Sequence, residues 1–190
     1  EHDEPITSAS GATFTASTGW SVADDRGVVT LTGPERDLTL IYLELEADSG
    51  EQAIAAAWKR VQPDVALAVA QTDQQPARDG WDGQTQIVYV TPSAEQRVVV
   101  AVALGKGRTW RLFLVDGKEA ALSRRGAQLG ATVTSLKAPG VTRESWAGRP
   151  AAALDAPSLA AIDGFVERAM KATGVPGAAL AIVQGGKVIH

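Results

Sequence analysis

The sequence predicts an α+β fold, an antiparallel sheet flanked by helices, followed by a linker and an isolated helix plus β-hairpin that starts a second domain. Three observations predict it. Between Trp81 and Gly117, β-rich runs follow one another across short Gly and Pro breaks, a spacing that fits antiparallel hairpins. Helical patterns follow Ser49 and Lys118, beside those runs. From Lys137 to Pro157 periodicity disappears, and prolines and glycines accumulate. The domain reading is therefore a disordered N terminus over 1–12, an α+β domain over 13–136, a linker over 137–157 and the start of a second domain over 158–190.

Taken in order, "GWSVA" and "GVVTLTG" read as short strands joined by the turn Asp24-Asp25-Arg26-Gly27. "DLTLIYLELEA" places Leu38, Leu40, Tyr42 and Glu44 on one face and Thr39, Ile41, Leu43 and Leu45 on the other. Both faces are largely apolar, which predicts a central strand covered on two sides. Ser49 with Gln52 forms a capping-box pattern, and Ile54, Ala57, Trp58 and Val61 recur at helical spacing until Pro63 ends the helix. After "DVALAVAQT", "DQQPARDG" reads as a polar loop leading into "WDGQTQIVYVTP", "EQRVVVAVALG" and "RTWRLFLVDG". Lys118 to Leu129 reads as a second helix, weakened by Gly126.

Beyond the linker, Ser158 is the expected N-cap of a helix in which Leu159, Ile162, Phe165, Val166, Ala169 and Met170 form one apolar stripe. Gly174 stands where a left-handed cap belongs. "AALAIVQ" then reads as an apolar strand, Gly185-Gly186 as a hairpin turn, and "KVIH" as the returning strand.

Composition excludes several function classes. The formal net charge is −4, with acidic and basic residues interspersed, so no phosphate-binding patch is present and nucleic acid is not an expected partner. No apolar stretch approaches the roughly 20 residues of a membrane-spanning helix. The chain has no cysteine, hence no disulfide or thiolate metal site. It begins with Glu1, and its one methionine is Met170, from which a processed chain, secreted or periplasmic, is expected.

The order of elements from Phe14 to Leu136, with "GWSV" near the start, then "PERDLTLIYLELE", a Trp-bearing helix, hairpin strands and a final helix, resembles the PsbP-type α+β fold. No binding residue follows from that resemblance. The run "LDAPSLAAIDGFVERAMKATGVPGAALAIVQGGKVIH" is similar to the opening of the catalytic domain in beta-lactamase-like serine hydrolases, the group of class C beta-lactamases, DD-peptidases and related esterases. There an amphipathic helix, a G-x-P-G turn and a hairpin begin the domain, as Gly174, Pro176, Gly177, Gly186 and Lys187 do here. The resemblance implies a Ser-x-x-Lys nucleophile motif, a Tyr-x-Asn motif and a Lys-Thr-Gly strand, none of which this chain contains. The nearest approximations are "TSLK" at Thr134 to Lys137 and "KATG" at Lys171 to Gly174. Such motifs would fall downstream of His190, so the chain is expected to be an inactive fragment of a larger hydrolase.

No catalytic, cofactor-binding or metal-ligating residue is assigned, no cofactor is expected, and substrate-binding residues stay open. His2, Asp3 and Glu4 have the chemistry of a divalent-ion site, against the ordinary reading of a frayed terminus. Asp24 with Asp25, and Glu44 with Glu46, are acid/base candidates only if buried, and otherwise a solvated turn and strand face. Gly105-Lys106-Gly107 lacks the spacing of a phosphate loop and reads as a β-turn. Trp20, Trp81 and Trp110, with Arg108 and Arg111 nearby, either line a ligand groove or fill the core, and the core reading is favoured. Trp146 is either docked on a neighbouring surface or exposed within the linker.

Two functions remain in competition. The first is an accessory domain plus the start of the catalytic domain of a beta-lactamase-like serine hydrolase, its partner being the missing C-terminal catalytic domain or a second copy of the chain, through residues 158–190. The second is a non-catalytic secreted module that binds a peptide, an envelope polymer or a partner protein.

Overall fold

A computed structural model describes residues 3–8, 10–141, 148–150 and 152–190. The chain divides into two compact units, Glu1–Thr142 and Arg143–His190. His2 and Trp146 lie outside the described residues.

The first unit is built on a seven-stranded antiparallel sheet. Its strands are β3 (Ser21–Asp25), β4 (Val28–Thr32), β5 (Leu38–Glu46), β6 (Val69–Arg78), β7 (Trp81–Tyr89), β8 (Arg97–Lys106) and β9 (Thr109–Lys118), in the order β3-β4-β5-β9-β8-β7-β6. The centre is the β5–β9 pair, in register from Leu38 opposite Gly117 to Glu46 opposite Thr109. Turn chemistry sets the hairpins. Arg26 and Gly27 at φ 49° and 80°, and Asp79 and Gly80 at φ 54° and 85°, are two-residue connections with both residues left-handed, whose twist matches that of the strands they join.

Helix α1 (Gly50–Val61) covers one face. Ser49 caps it as expected, its hydroxyl accepting from Gln52 N, and Ala53, Ile54, Ala57 and Trp58 pack on Ile41, Leu43, Leu112 and Leu114. Helix α2 (Glu119–Ser135) lies on the opposite face, over Leu40, Tyr42, Phe113 and Val115. It runs six residues beyond the expected end at Leu129, because Thr132 is buried and Val133 packs on the core.

The N terminus is a correction. Over 1–12 disorder was expected, yet β1 (Glu4–Thr7) pairs with β2 (Thr13–Ala16), Ile6 packs on the core and Ala12 is buried. The hairpin is needed there: Phe14 sits 4.7 Å from Tyr42 and 5.4 Å from Phe113 between ring centroids, filling what α2 leaves uncovered. Thr15 N donates to Ser135 Oγ and Lys137 N to Thr13 O, tying β2 to the end of α2. The start of the expected linker therefore belongs to this unit, with Ala138 buried and Val141 against the core.

The segment read as a polar loop is a second correction. Val69–Arg78 forms β6, the sheet's outer strand, with every residue exposed. A strand with solvent on both faces needs no apolar alternation, which is why its composition resembles a loop.

In the second unit, α3 (Ala156–Thr173) is capped by Asp155 rather than Ser158, since Asp155 Oδ1 accepts from Ser158 N at 2.9 Å and from its hydroxyl. Gly174 at φ 70° ends it as a left-handed cap. Gly185 and Gly186, at φ 60° and 76°, turn β10 (Val183–Gln184) into β11 (Lys187–Val188). The expected strand over 178–184 shortens to these two residues plus backbone bonds at Ile182, because residues 178–181 face no strand among those described. Gln184 braces the hairpin by donating to Ala152 O and accepting from Leu154 N, and His190 Nε2 lies 2.8 Å from Asp163 Oδ1. Among the described residues no helix is long and apolar enough to cross a membrane, which says nothing of membrane-crossing strands.

The tightest backbone approach is at Gly117, where a Cβ would stand 2.6 Å from Asp37 O and 2.7 Å from Leu38 Cα. Gly117→Ala is expected to lower the unfolding free energy by about 2 kcal/mol, since backbone rather than a flexible side chain must move. Urea denaturation of the variant checks this; an unchanged midpoint would refute the close approach.

Candidate functional site

The central ladder sets a polar cluster into the face covered by the β1–β2 hairpin. Glu44 on β5 stands opposite Arg111 on β9, and Tyr42, two residues earlier, shares its face. Arg111 is only 4% exposed, and its Nε is 3.6 Å from Glu44 Oε1, a charge pairing rather than a hydrogen bond. Its Nη2 donates to Ser10 Oγ at 3.0 Å, and the Trp81 ring lies 5.5 Å from the guanidinium carbon. Glu44 Oε1 accepts from the Tyr42 hydroxyl at 2.5 Å and from Ser10 Oγ at 2.8 Å. Arg111 Nε and Nη1 are buried without a hydrogen-bond partner among the described residues.

The protonation states follow from this geometry. Burial pulls the Glu44 carboxyl upward, but hydrogen bonds from Ser8, Tyr42 and Ser10, with the Arg111 charge, outweigh it and hold the group below the usual carboxylate range. Burial first, and the bond to Glu44 second, push the Tyr42 phenol far above its ordinary value. Near neutral pH one group is a fixed acceptor and the other a fixed donor. The cluster acts as an electrostatic lock, fastening Ser10 and the β1–β2 hairpin to the sheet.

The candidates read from the sequence do not converge. Trp20 and Trp81 are buried on the α2 side, whereas Trp110 lies on the α1 side with Nε1 donating to Ala47 O. Arg108 pairs with Asp48 at 2.9 Å on the surface. The three tryptophans therefore line no common groove. Asp24 closes its own turn by accepting from Gly27 N, Asp25 pairs with Arg26 in solvent, and Glu46 is exposed. Only Glu44 is drawn into a cluster. At Gly105-Lys106-Gly107, Asp82 accepts from both Gly107 N and Lys106 Nζ, so the turn's donors are already engaged by a carboxylate. Asp3 accepts from Thr18 N and Oγ1, and no group of three potential metal-ligating side chains occurs among the described residues. Thr134 bonds back to Gly130 O on α2, and Lys137 lies in a bridge to Thr13.

What sequence reasoning missed is the pairing of Glu44 with Arg111. A signal was present: alternation along "RTWRLFLVDG" places Arg111 with Phe113 and Val115, a charge on an otherwise apolar face.

No family model matches the chain. No curated protein matches it either. Among solved structures it is similar to the solution structure of cyanobacterial PsbP (CyanoP) from Synechocystis sp. PCC 6803, with a TM-score of 0.53 and 15% identity over 71% of this chain and 91% of that one. At that identity the likeness concerns the fold alone, and it supports the PsbP-type architecture. A crystal structure from Bacteroides thetaiotaomicron VPI-5482 matches with a TM-score of 0.39 and 11% identity, over 95% of this chain and 65% of that one.

Glu44→Gln keeps the shape of the cluster but leaves the Arg111 charge buried without its counterion, and should lower stability at pH 7 by about 3 kcal/mol. The folded carboxyl titrates below its unfolded value of 4.5. Its contribution is thus complete above that pH and is lost as pH falls through the folded-state value. Urea titrations across this range should show a shallower acid loss for the variant, and parallel curves would exclude the linkage.

Proposed function

We propose that the seven-stranded unit is a non-catalytic accessory domain, and that residues 158–190 begin the catalytic domain of a beta-lactamase-like serine hydrolase. The observation that carries this reading is the surface of the second unit. Phe165 is 64% exposed, Val183 63% and Val188 71%. Local structure there is complete, with a helix capped at both ends and a well-turned hairpin, yet α3 has no buried residue. Helices and two-stranded hairpins take most of their stability from a core, so these apolar side chains call for more protein packed against them. Gly174, Pro176, Gly177, Gly186 and Lys187 occupy the cap, turn and hairpin with which the hydrolase domain opens.

For the sheet unit the support is chemical. Burial and the bond to Glu44 keep Tyr42 protonated, bonds from Ser8, Tyr42 and Ser10 with the Arg111 charge keep Glu44 ionised, and Asp116 is held by both Arg97 Nε and Nη2 at 2.7 and 2.6 Å. Groups committed in this way stabilise a scaffold. The acyl-serine chemistry, transfer from an amide or ester to serine and then to water, would be carried by residues other than these.

The test uses native-source protein from extracellular or periplasmic fractions, labelled with a fluorescent penicillin and a fluorophosphonate. A labelled species larger than 19.8 kDa is expected, with the adduct on a serine followed three residues later by lysine, outside residues 1–190. An unlabelled species at 19.8 kDa would overturn the hydrolase reading in favour of a self-sufficient binding module.

A further inference from the structure

Helix α1 leaves a trough beside β6. Its first turn stands over β7, where a Cβ on Gly50 would meet Thr85 Oγ1 at 2.2 Å. Its last turn reaches Tyr89 further along the same strand, the Trp58 and Tyr89 rings meeting edge to face with centroids 5.9 Å apart. The helix therefore follows β7, and the neighbouring β6 stays outside its cover. The chain leaving the helix closes the far side, so that Val65, Leu67, Val69 and Ile87 join Trp58 and Tyr89 around a groove of about 380 Å³. Val65 is 38% exposed and Val69 54%. A cleft of this size with mainly apolar walls is in the range of small-molecule sites.

The groove's polar groups are unevenly placed. Toward the start of α1, Glu51 lines it, but Glu51 Oε1 already accepts from Gln74 Nε2 at 2.8 Å. Toward the end of α1 stand Trp58, Lys59 and Tyr89. Trp58 and Tyr89 are only 6% and 8% exposed. Trp58 Nε1 is buried beside the Tyr89 phenol without completing a hydrogen bond. An indole nitrogen only donates, so a phenol oxygen turned to it directs its own proton away. Neither proton has an acceptor among the described residues. Burial, outweighing the indole, raises the Tyr89 phenol above its ordinary value, so near neutral pH it is a donor. Lys59 forms no ion pair among the described residues, and Asp64, the nearest acid in the following loop, does not line the groove. Buried donors without acceptors are uncommon, and a free cation beside them favours an acceptor that carries negative charge.

We propose that this groove binds a small apolar carboxylate, its tail against Val65, Leu67, Val69 and Ile87 and its head at the Tyr89 hydroxyl and the Lys59 ammonium. Trp58 acts behind the phenol, orienting its oxygen. The head group follows from the surplus of donors at one end and the engagement of Glu51 at the other. An alcohol would leave the Lys59 charge unmatched, and an amine would be repelled by it. The groove belongs to the sheet unit, so its occupancy is independent of the hydrolase lineage of residues 158–190, and its test uses no acyl-serine probe.

Octanoate, octanol and octylammonium share one tail and differ in the head. Each is titrated into the ¹⁵N-labelled full chain at low ionic strength, below micelle formation. Octanoate should saturate, shifting the Trp58 indole N–H and the amides of Leu67, Val69 and Ile87. It should bind about tenfold more tightly than octanol, the order of one hydrogen bond to a charged group, with octylammonium weakest. Tyr89→Phe removes the phenol donor and should weaken octanoate binding about tenfold. Should that variant misfold, Lys59→Gln at an exposed position tests the same end, with about a threefold loss for octanoate and none for octanol. Equal affinity for the three heads, shifts confined to other elements, or full octanoate affinity in Tyr89→Phe would each overturn the proposal. So would the lack of saturable octanoate binding.

Discussion

The first unit depends on a strand pair that is apolar on both faces. Along β5 and β9, Leu40, Tyr42, Phe113 and Val115 look one way and Ile41, Leu43, Leu112 and Leu114 the other, and these side chains are buried. At about 1.5–3 kcal/mol for each large side chain removed from water, neither face is stable exposed. One cover is supplied by α1, with Ile54 and Trp58. The other cannot come from α2 alone, since Ala121 is the only apolar side chain it buries fully, with Leu129 and Val133 partly buried. The β1–β2 hairpin supplies the missing apolar volume through Ile6 and Phe14. Order at the N terminus is therefore a consequence of the two-faced centre of the sheet.

The same strand pair carries its only buried charge pairing where the apolar cover gives way to the hairpin loop. Glu44 and Arg111 are directly opposed, and the loop contributes hydroxyls instead of methyl groups. A one-residue slip between the strands would move Arg111 to the α1 side, among Leu43 and Leu112, where it would meet no carboxylate. The pair thus specifies register as well as local stability. The aromatic contacts of Phe14, Tyr42 and Phe113 specify it again two residues further along.

Elements whose signal is local were legible in the sequence. Ser49 with Gln52, the two-faced β5, the Asp24–Gly27 turn and the Gly174 cap all act through residues within a few positions of one another. Elements defined by what lies across space were not. The segment "TDQQPAR" is polar because nothing covers β6, and its proline signals a break although the strand continues through it. Asp155 and Ser158 are both good capping residues, and the choice rests on whether Pro157 lies inside the helix, which it does. The Glu44–Arg111 pair was half legible: alternation marks each as a charge on a buried face, whereas their meeting depends on the β5–β9 register. Trp81 reaches Arg111 from a different hairpin, and no sequence spacing encodes that approach.

Sheet width explains why an edge stays open. Six inter-strand steps of about 4.8 Å make the sheet about 29 Å wide, whereas one helix with its side chains is about 10 Å across. Helix α1 lies over β5, β9, β8 and β7, and α2 over β5, β9 and β8, so neither shields the outermost strands. The two edges are managed differently. β3 is five residues long and ends in Asp24 and Asp25, and a short, charged edge resists pairing. β6 is twice that length and carries uncharged Gln74 and Gln75 at its middle, but Gln75 turns its carbonyl toward β7, which sets Pro76 in the outward row. Of two edges left by one geometric shortfall, β3 is protected by shortness and charge, and β6 by a proline that interrupts its outward row of donors.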